Sequence, residues 1–254
     1  SNCIISGTGL FTPPNKITNE ELVDCFNTYI TQFNESHQQD IQSGKIEALL
    51  PSSCAFIEKA SGIRSRYVME DKGILNPKIM HPLNLDRKNT DLAIQAEISI
   101  AAAKEAMEQA NLSSGDIDAV IVACSNMPRP YPALSVEIQA ALDIQGYGYD
   151  LNVACASATF GIQNAANAIQ SGQAKNILVV NPEICTAHLN FRDRDCHFIF
   201  GDACTATIIQ DASTNKNPDG FEILDIQLRT QFSNNIRNNF GFLNRTLEEK
   251  REEN

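Results

Sequence analysis

Two short runs, Ala119-Val120-Ile121-Val122-Ala123 and Asn176-Ile177-Leu178-Val179-Val180, are almost wholly apolar and rich in β-branched residues. Neither alternates polar with apolar, so each predicts a strand buried on both faces, as the central strands of a parallel sheet are. Helical periodicity predicts helices over about Thr90 to Ala110, with Leu92, Ala96, Ile100, Ala103 and Met107 near one face, and over 134–143. A strand is expected at about 149–154, an Ala-rich helix from Ser157 to Gly172, and a further strand at 204–210. This β-α-β-α-β rhythm predicts a layered α/β fold.

The flanking segments are less regular. Residues 2–9 predict a first strand ending at a glycine turn, Gly7 and Gly9. Thr18 or Asn19, followed by Glu20 and Glu21, reads as the start of a helix carrying Leu22, Val23, Phe26 and Ile30. Residues 31–55 are polar and predict an insertion with a short helix. Past Asp211 the chain turns loop-like; one more strand is expected at 221–228, then an exposed, charged ending at Glu248 to Glu253.

The formal charge of −11 argues against nucleic acid, whose phosphates need clustered Lys and Arg. A local basic patch for an acidic carrier protein stays compatible with it. No run of about 18 apolar residues predicts a transmembrane helix, and the first residues have no signal-like basic and apolar regions. The Gly7-x-Gly9 turn lacks the third glycine of a dinucleotide fingerprint.

Eight cysteines lie at positions 3, 25, 54, 124, 155, 185, 196 and 204, with no C-x-x-C pair and no His at zinc-site spacing. No metal site is expected, and seven of the eight read as free thiols acting as small hydrophobes. Free thiols and no export signal point to a cytoplasmic location. Cys155 differs. It sits between a buried strand and the Ala-rich helix, where unpaired N–H groups and the helix dipole favour thiolate over thiol. Small neighbours, Ala154, Ala156 and Ser157, leave room for a substrate. On these residues alone, a functional thiol and a buried structural cysteine both remain open.

The run Asp150-Leu151-Asn152-Val153-Ala154-Cys155-Ala156 resembles the active-site cysteine loop of the β-ketoacyl-acyl-carrier-protein synthase III family. Phe200-Gly201-Asp202-Ala203-Cys204-Thr205-Ala206, preceded by Asp193-Arg194-Asp195, is similar to a second family motif, and Ser61-Gly62-Ile63-Arg64-Ser65-Arg66 to the segment near the coenzyme A tunnel. The three occur in family order. The resemblance implies a thiolase-like layered αβαβα fold, of which the chain holds the first half plus the start of the second: 1–211 the half with the nucleophile, 212–254 a connector and the beginning of the C-terminal half.

It further implies decarboxylative Claisen condensation through an acyl-Cys155 intermediate, with acyl-coenzyme A and malonyl-acyl-carrier protein as substrates, in fatty acid or related biosynthesis. No cofactor is implied beyond coenzyme A as part of the substrate, and the family habit is a homodimer. Phe56 falls where the family often has a Trp that stacks on adenine; Arg64 and Arg66 would meet nucleotide phosphates. Tyr131 matches an aromatic that closes the partner's acyl pocket. Cys204 stands where the family usually has glycine, and 31–55 is longer than in compact members. The family completes its site with a His and a later Asn. His37, His81, His188 and His197 lack the pattern around that His, so the decarboxylation machinery is expected outside these residues. Two alternatives are an acyl-transferring or hydrolytic relative using only the cysteine, and a non-catalytic partner subunit.

Overall fold

A computed structural model of the chain describes residues 2–83, 87–215, 219–235, 237 and 238. In order they form β1 (Cys3–Phe11), β2 (Asn15–Thr18), α1 (Asn19–Ser36), α2 (Gln38–Gln42), α3 (Cys54–Ser61), β3 (Ser65–Val68) and α4 (Ile94–Gln109). Then come β4 (Ala119–Ala123), α5 (Leu134–Ala141), β5 (Tyr147–Leu151), α6 (Ser157–Gln170), β6 (Asn176–Ile184), β7 (Asp202–Asp211) and β8 (Phe221–Glu222). These residues fall into two compact units: 2–12, 87–183 and those from 203 onward in one, 13–83 and 184–202 in the other.

The first unit is built on a six-stranded sheet of order β5-β4-β6-β7-β1-β8. β4 is parallel to β5 and β6, while β1 runs antiparallel to β7 and β8. The sheet is therefore mixed, with the parallel part where the continuous apolar runs predict it. All five residues of β4 are buried. On one face Ile121, Ala123, Ile177, Val179 and Ile209 form a core with Ala165, Ala166 and Ile169 of α6. Gly161 lets α6 approach closely, since a Cβ there would lie 2.9 Å from both Ala123 and Val179 side-chain carbons.

Gly7 and Gly9 do not end the first strand; β1 runs through both. Their role is to clear a path for α4, whose backbone would lie about 2 Å from a Cβ at either site: 2.1 Å for Gly7 against Ala106 O, 1.9 Å for Gly9 against Ala102 O. The helix starts at Ile94 rather than 90, with Ala93 as a cap that offers no side-chain acceptor. Glu137 of α5 supplies one instead, accepting from Ala93 N at 2.7 Å. The strand expected over 221–228 shrinks to Phe221–Glu222. The charged ending at 248–253 lies outside the described residues.

In the second unit, β2 and β3 form a two-stranded antiparallel sheet. α1 begins as its sequence predicts: Thr18 accepts from Glu21 N, and the Glu21 carboxylate accepts from Thr18 N. Leu22, Phe26 and Ile30 on its inner face meet Ile17, Ile57, Val68, Ile74, Phe191 and Phe198. The polar segment 31–55 contains the short α2. The stretch after α2 is held by two asparagine side chains of α1. Asn27 exchanges two hydrogen bonds with the backbone of Ser52 (3.1 and 2.9 Å), and Asn34 two with Leu49 (3.0 and 2.9 Å). Each amide does for the loop what a neighbouring strand would.

Candidate active site

Cys155 follows β5, at the carboxyl ends of parallel strands where ligands of open α/β sheets bind. Asp150 of β5 fixes the approach, its carboxylate accepting from Leu134 N and Ser135 N at the start of α5, both at 2.8 Å. Residues Ala154–Ala156 make one 3₁₀ turn that leads directly into α6. Ala154 adopts φ +47°, a left-handed conformation that costs an L-residue about 1–2 kcal/mol. The turn is tied by Ser157, whose hydroxyl donates to Ala154 O (2.7 Å) and accepts from Val153 N (2.9 Å). Asn152 ties it again, accepting from Ala154 N at 2.8 Å.

Of the eight cysteines, Cys155 alone is exposed; four are buried and three half-buried. Burial pushes the thiol of Cys25 up to about 11, and those of Cys196 and Cys204 up to about 12. A raised pKa disfavours the nucleophilic thiolate at these three. Cys204, in place of the usual glycine, points into the helix side of the sheet, its sulfur 3.7 Å from Ser99 Oγ of α4.

Tyr131 lies in the same unit, 81% exposed, in a loop anchored by an ion pair between Arg129 and Glu137. The other three expected site residues belong to the second unit. Phe56 is half-buried on α3, with the Arg194 guanidinium 4.1 Å above its ring centre. Arg194 is held there by its Nε, which donates to Pro51 O at 2.8 Å. The sequence drew attention to Arg194 only as part of a motif; its stacking on Phe56 depends on residues far apart in the chain. Arg64 projects outward, with a long 3.8 Å contact to Glu58.

Arg66 is a correction. It is 6% exposed, with Nη1 donating to Ile17 O (3.2 Å) and Nη2 to Asn19 Oδ1 (2.7 Å) and Phe198 O (3.4 Å), while its buried Nε has no hydrogen-bond partner among the described residues. β3 alternates, so Arg66 shares the inner face with Val68 while Ser65 and Tyr67 look out. These contacts account for the guanidinium by packing inside the unit. The second motif is structural in the same way. Asp202 accepts from Met69 N, Thr186 N and Thr186 Oγ at 2.9–3.0 Å, and a Cβ on Gly201 would sit 2.6 Å from Tyr67 O.

Among the histidines, His81 is exposed, and His37 stacks on Phe33 with its Nδ1 2.9 Å from Phe33 O. His188 meets Phe200 edge-on. His197 is fully buried, stacked on Phe26 at 4.4 Å, its Nδ1–H donating to Arg194 O at 2.9 Å. Burial lowers its pKa; Arg66 adds to this, and the carbonyl of Arg194 and Asp193 oppose it. The unfolded chain therefore takes up this proton first. Stability is present above the unfolded value of about 6.5 and declines as pH falls below it. Asp202, whose pKa burial raises, works in the opposite direction, so the comparison is with His197→Phe. The wild-type unfolding free energy is expected to lose more between pH 7 and pH 5.5 than that of the variant, measured by urea titration. Equal slopes would mean that His197 is not buried neutral.

A sequence profile of the 3-oxoacyl-[acyl-carrier-protein (ACP)] synthase III family matches residues 149–231. The chain is 61% identical over 226 residues to a β-ketodecanoyl-[acyl-carrier-protein] synthase of Pseudomonas aeruginosa, 89% of this chain and 65% of that protein. It is 27% identical over 216 residues to the β-ketoacyl-[acyl-carrier-protein] synthase III of Granulibacter bethesdensis, 85% of this chain and 53% of that one. Among solved structures, the 3-oxoacyl-[acyl-carrier-protein] synthase III of Aquifex aeolicus superposes with a TM-score of 0.61 at 24% identity, over 84% of this chain and 54% of that chain. The priming β-ketosynthase of the R1128 polyketide pathway gives 0.62 at 24% identity, over 84% and 51%. The match thus spans about two thirds of the first relative and about half of the others. The fold is that of the thiolase-like condensing enzymes. Over the matched residues the chain belongs to the β-ketoacyl-acyl-carrier-protein synthase III family.

Proposed function

We propose that Cys155 is the acyl acceptor of a decarboxylative condensing site working in fatty acid or related biosynthesis. One observation carries this most directly: of eight thiols, the exposed one stands in a pinned turn between a parallel strand and a helix. Its sulfur attacks the carbonyl of an acyl-coenzyme A thioester, the backbone N–H of Cys155 being one donor to the oxyanion. Coenzyme A leaves as the thiol, and the acyl group stays on Cys155. Malonyl-acyl-carrier protein then loses carbon dioxide, its carbanion attacks the acyl carbonyl, and the Cys155 thiolate departs from the β-ketoacyl product. The His and Asn that assist decarboxylation in this family are assigned to residues other than those described; none of the four histidines takes that part. No metal or organic cofactor enters these steps.

The Phe56 ring and the Arg194 guanidinium, two flat groups in contact, are assigned to the adenine of coenzyme A, and Arg64 to its phosphates. Tyr131 is assigned to the acyl pocket of a second copy in a homodimer. Among the described residues no helix is long and apolar enough to cross a membrane, and a cytoplasmic site of action is part of the proposal. The Pseudomonas relative is named for a ten-carbon product. Condensation with malonate adds two carbons after decarboxylation, so the primer proposed here carries eight.

The test is product formation by the intact protein from malonyl-acyl-carrier protein with octanoyl- or acetyl-coenzyme A. The eight-carbon primer is expected to be favoured in kcat/KM by about tenfold or more, and Cys155→Ala to give no product. Equal use of acetyl-coenzyme A would remove the eight-carbon assignment. Turnover by Cys155→Ala would remove the mechanism.

A further inference from the structure

The ends of β4 and β6 are cross-tied beneath the cysteine turn by side chains that the mechanism above does not use. The Glu183 carboxylate accepts from Ser125 N at 2.7 Å and also from the Ser125 hydroxyl. Asn181 Nδ2 donates to Ala123 O at 2.7 Å, and Gln95 Nε2 of α4 to both Asn126 O (2.9 Å) and Pro182 O (3.1 Å). The segment after β4 is thus fixed to β6 and to α4. One side chain carries this order into the turn. Asn152 Nδ2 donates to Ser125 O at 2.8 Å, while its Oδ1 accepts from Ala154 N at 2.8 Å, one residue before the nucleophile.

We infer that Asn152, backed by the Ser125–Glu183 pair, is a positioning residue for acylation: it holds the Val153–Ala154 peptide, the one before the peptide that carries the Cys155 N–H. Ala154 has φ +47° without being glycine, so with only the Ser157 hydroxyl left to hold Ala154 O, this torsion would relax. The relaxation would rotate the amide plane leading into Cys155, and with it the N–H direction an oxyanion needs. Sulfur exposure would be unaffected. Asn152 touches no reacting atom, so it acts through the turn. The inference rests on Cys155 being the acyl acceptor.

A split between two reactions of the same thiol tests it in the intact protein. Acylation by octanoyl-coenzyme A needs the oxyanion donors, whereas alkylation by iodoacetamide needs an accessible thiolate but no oxyanion donor. Asn152→Ala is expected to slow acylation by about tenfold or more and to leave alkylation of Cys155 nearly as fast as in the wild type. Unchanged acylation, or parallel loss in both reactions, would overturn the inference. Should Asn152→Ala fail to fold, Asn152→Asp decides by the same split. It keeps the size and the acceptor for Ala154 N but sets a carboxylate oxygen against Ser125 O. A selective loss of acylation supports the positioning role, and unchanged acylation overturns it. A wild-type protein that alkylates at Cys155 yet takes no acyl group would remove the proposed function itself, and the inference with it.

Discussion

Gly9→Val is expected to leave the sheet unit unable to fold. A Cβ at this position would sit 1.9 Å from Ala102 O and 2.9 Å from both Ala102 C and Ala106 N. All three are backbone atoms of α4, so no rotamer change relieves the contact. Either α4 lifts from β1, opening the layer where Ala102 and Ala106 are wholly buried, or β1 leaves its place between β7 and β8. Ordinary overpacking costs about 1–3 kcal/mol because side chains can shift; here a helix must move. That is a large part of a total stability of about 5–15 kcal/mol. Soluble yield and far-UV circular dichroism are the readouts. Gly44→Ala is the control: its Cβ meets nothing within 4 Å, and φ +74° makes its cost about 1 kcal/mol. A Gly9→Val protein that melts like the wild type would contradict the close approach of α4.

Arg66→Ala is expected to destabilise the second unit by about 3 kcal/mol, since it leaves Ile17 O, Asn19 Oδ1 and Phe198 O buried without their donor. Burial already lowers the pKa of this guanidinium to about 10. Arg64→Ala should behave oppositely. Its side chain is exposed and its contact with Glu58 is 3.8 Å, so stability should hardly move, while the KM for acyl-coenzyme A rises. Urea unfolding and steady-state kinetics on both variants separate the two roles. Equal stability of Arg66→Ala and the wild type would return Arg66 to the list of phosphate ligands.

These two predictions also mark where sequence was and was not sufficient. The central strands were legible because β4 and the start of β6 are apolar without alternation, which only burial on both faces explains. The start of α1 was legible because its cap is local, three residues from Thr18 to Glu21. The cysteine turn was legible as a motif, and its position between strand and helix followed from the flanking periodicities. Gly7 and Gly9 misled, because a glycine that admits a helix looks the same in sequence as one that turns the chain. The helix residues it meets, Ala102 and Ala106, lie more than 90 positions away. Arg66 looked like its neighbour Arg64 until the two-residue period of β3 put it on the inner face. The order of residues 49–52 came from Asn27 and Asn34, through contacts that no local pattern announces. The Glu183–Ser125–Asn152 chain joins the end of β6 to the segments after β4 and β5 and has no sequence signature.

The most direct test of the account is the site of acylation. The intact protein is incubated with octanoyl-coenzyme A, its mass is measured, and the adduct is located by peptide mapping, with Cys155→Ala alongside. The account predicts one octanoyl group per chain, on the peptide containing Cys155, and none on the variant. An adduct on another cysteine, or an adduct that survives in Cys155→Ala, would contradict it.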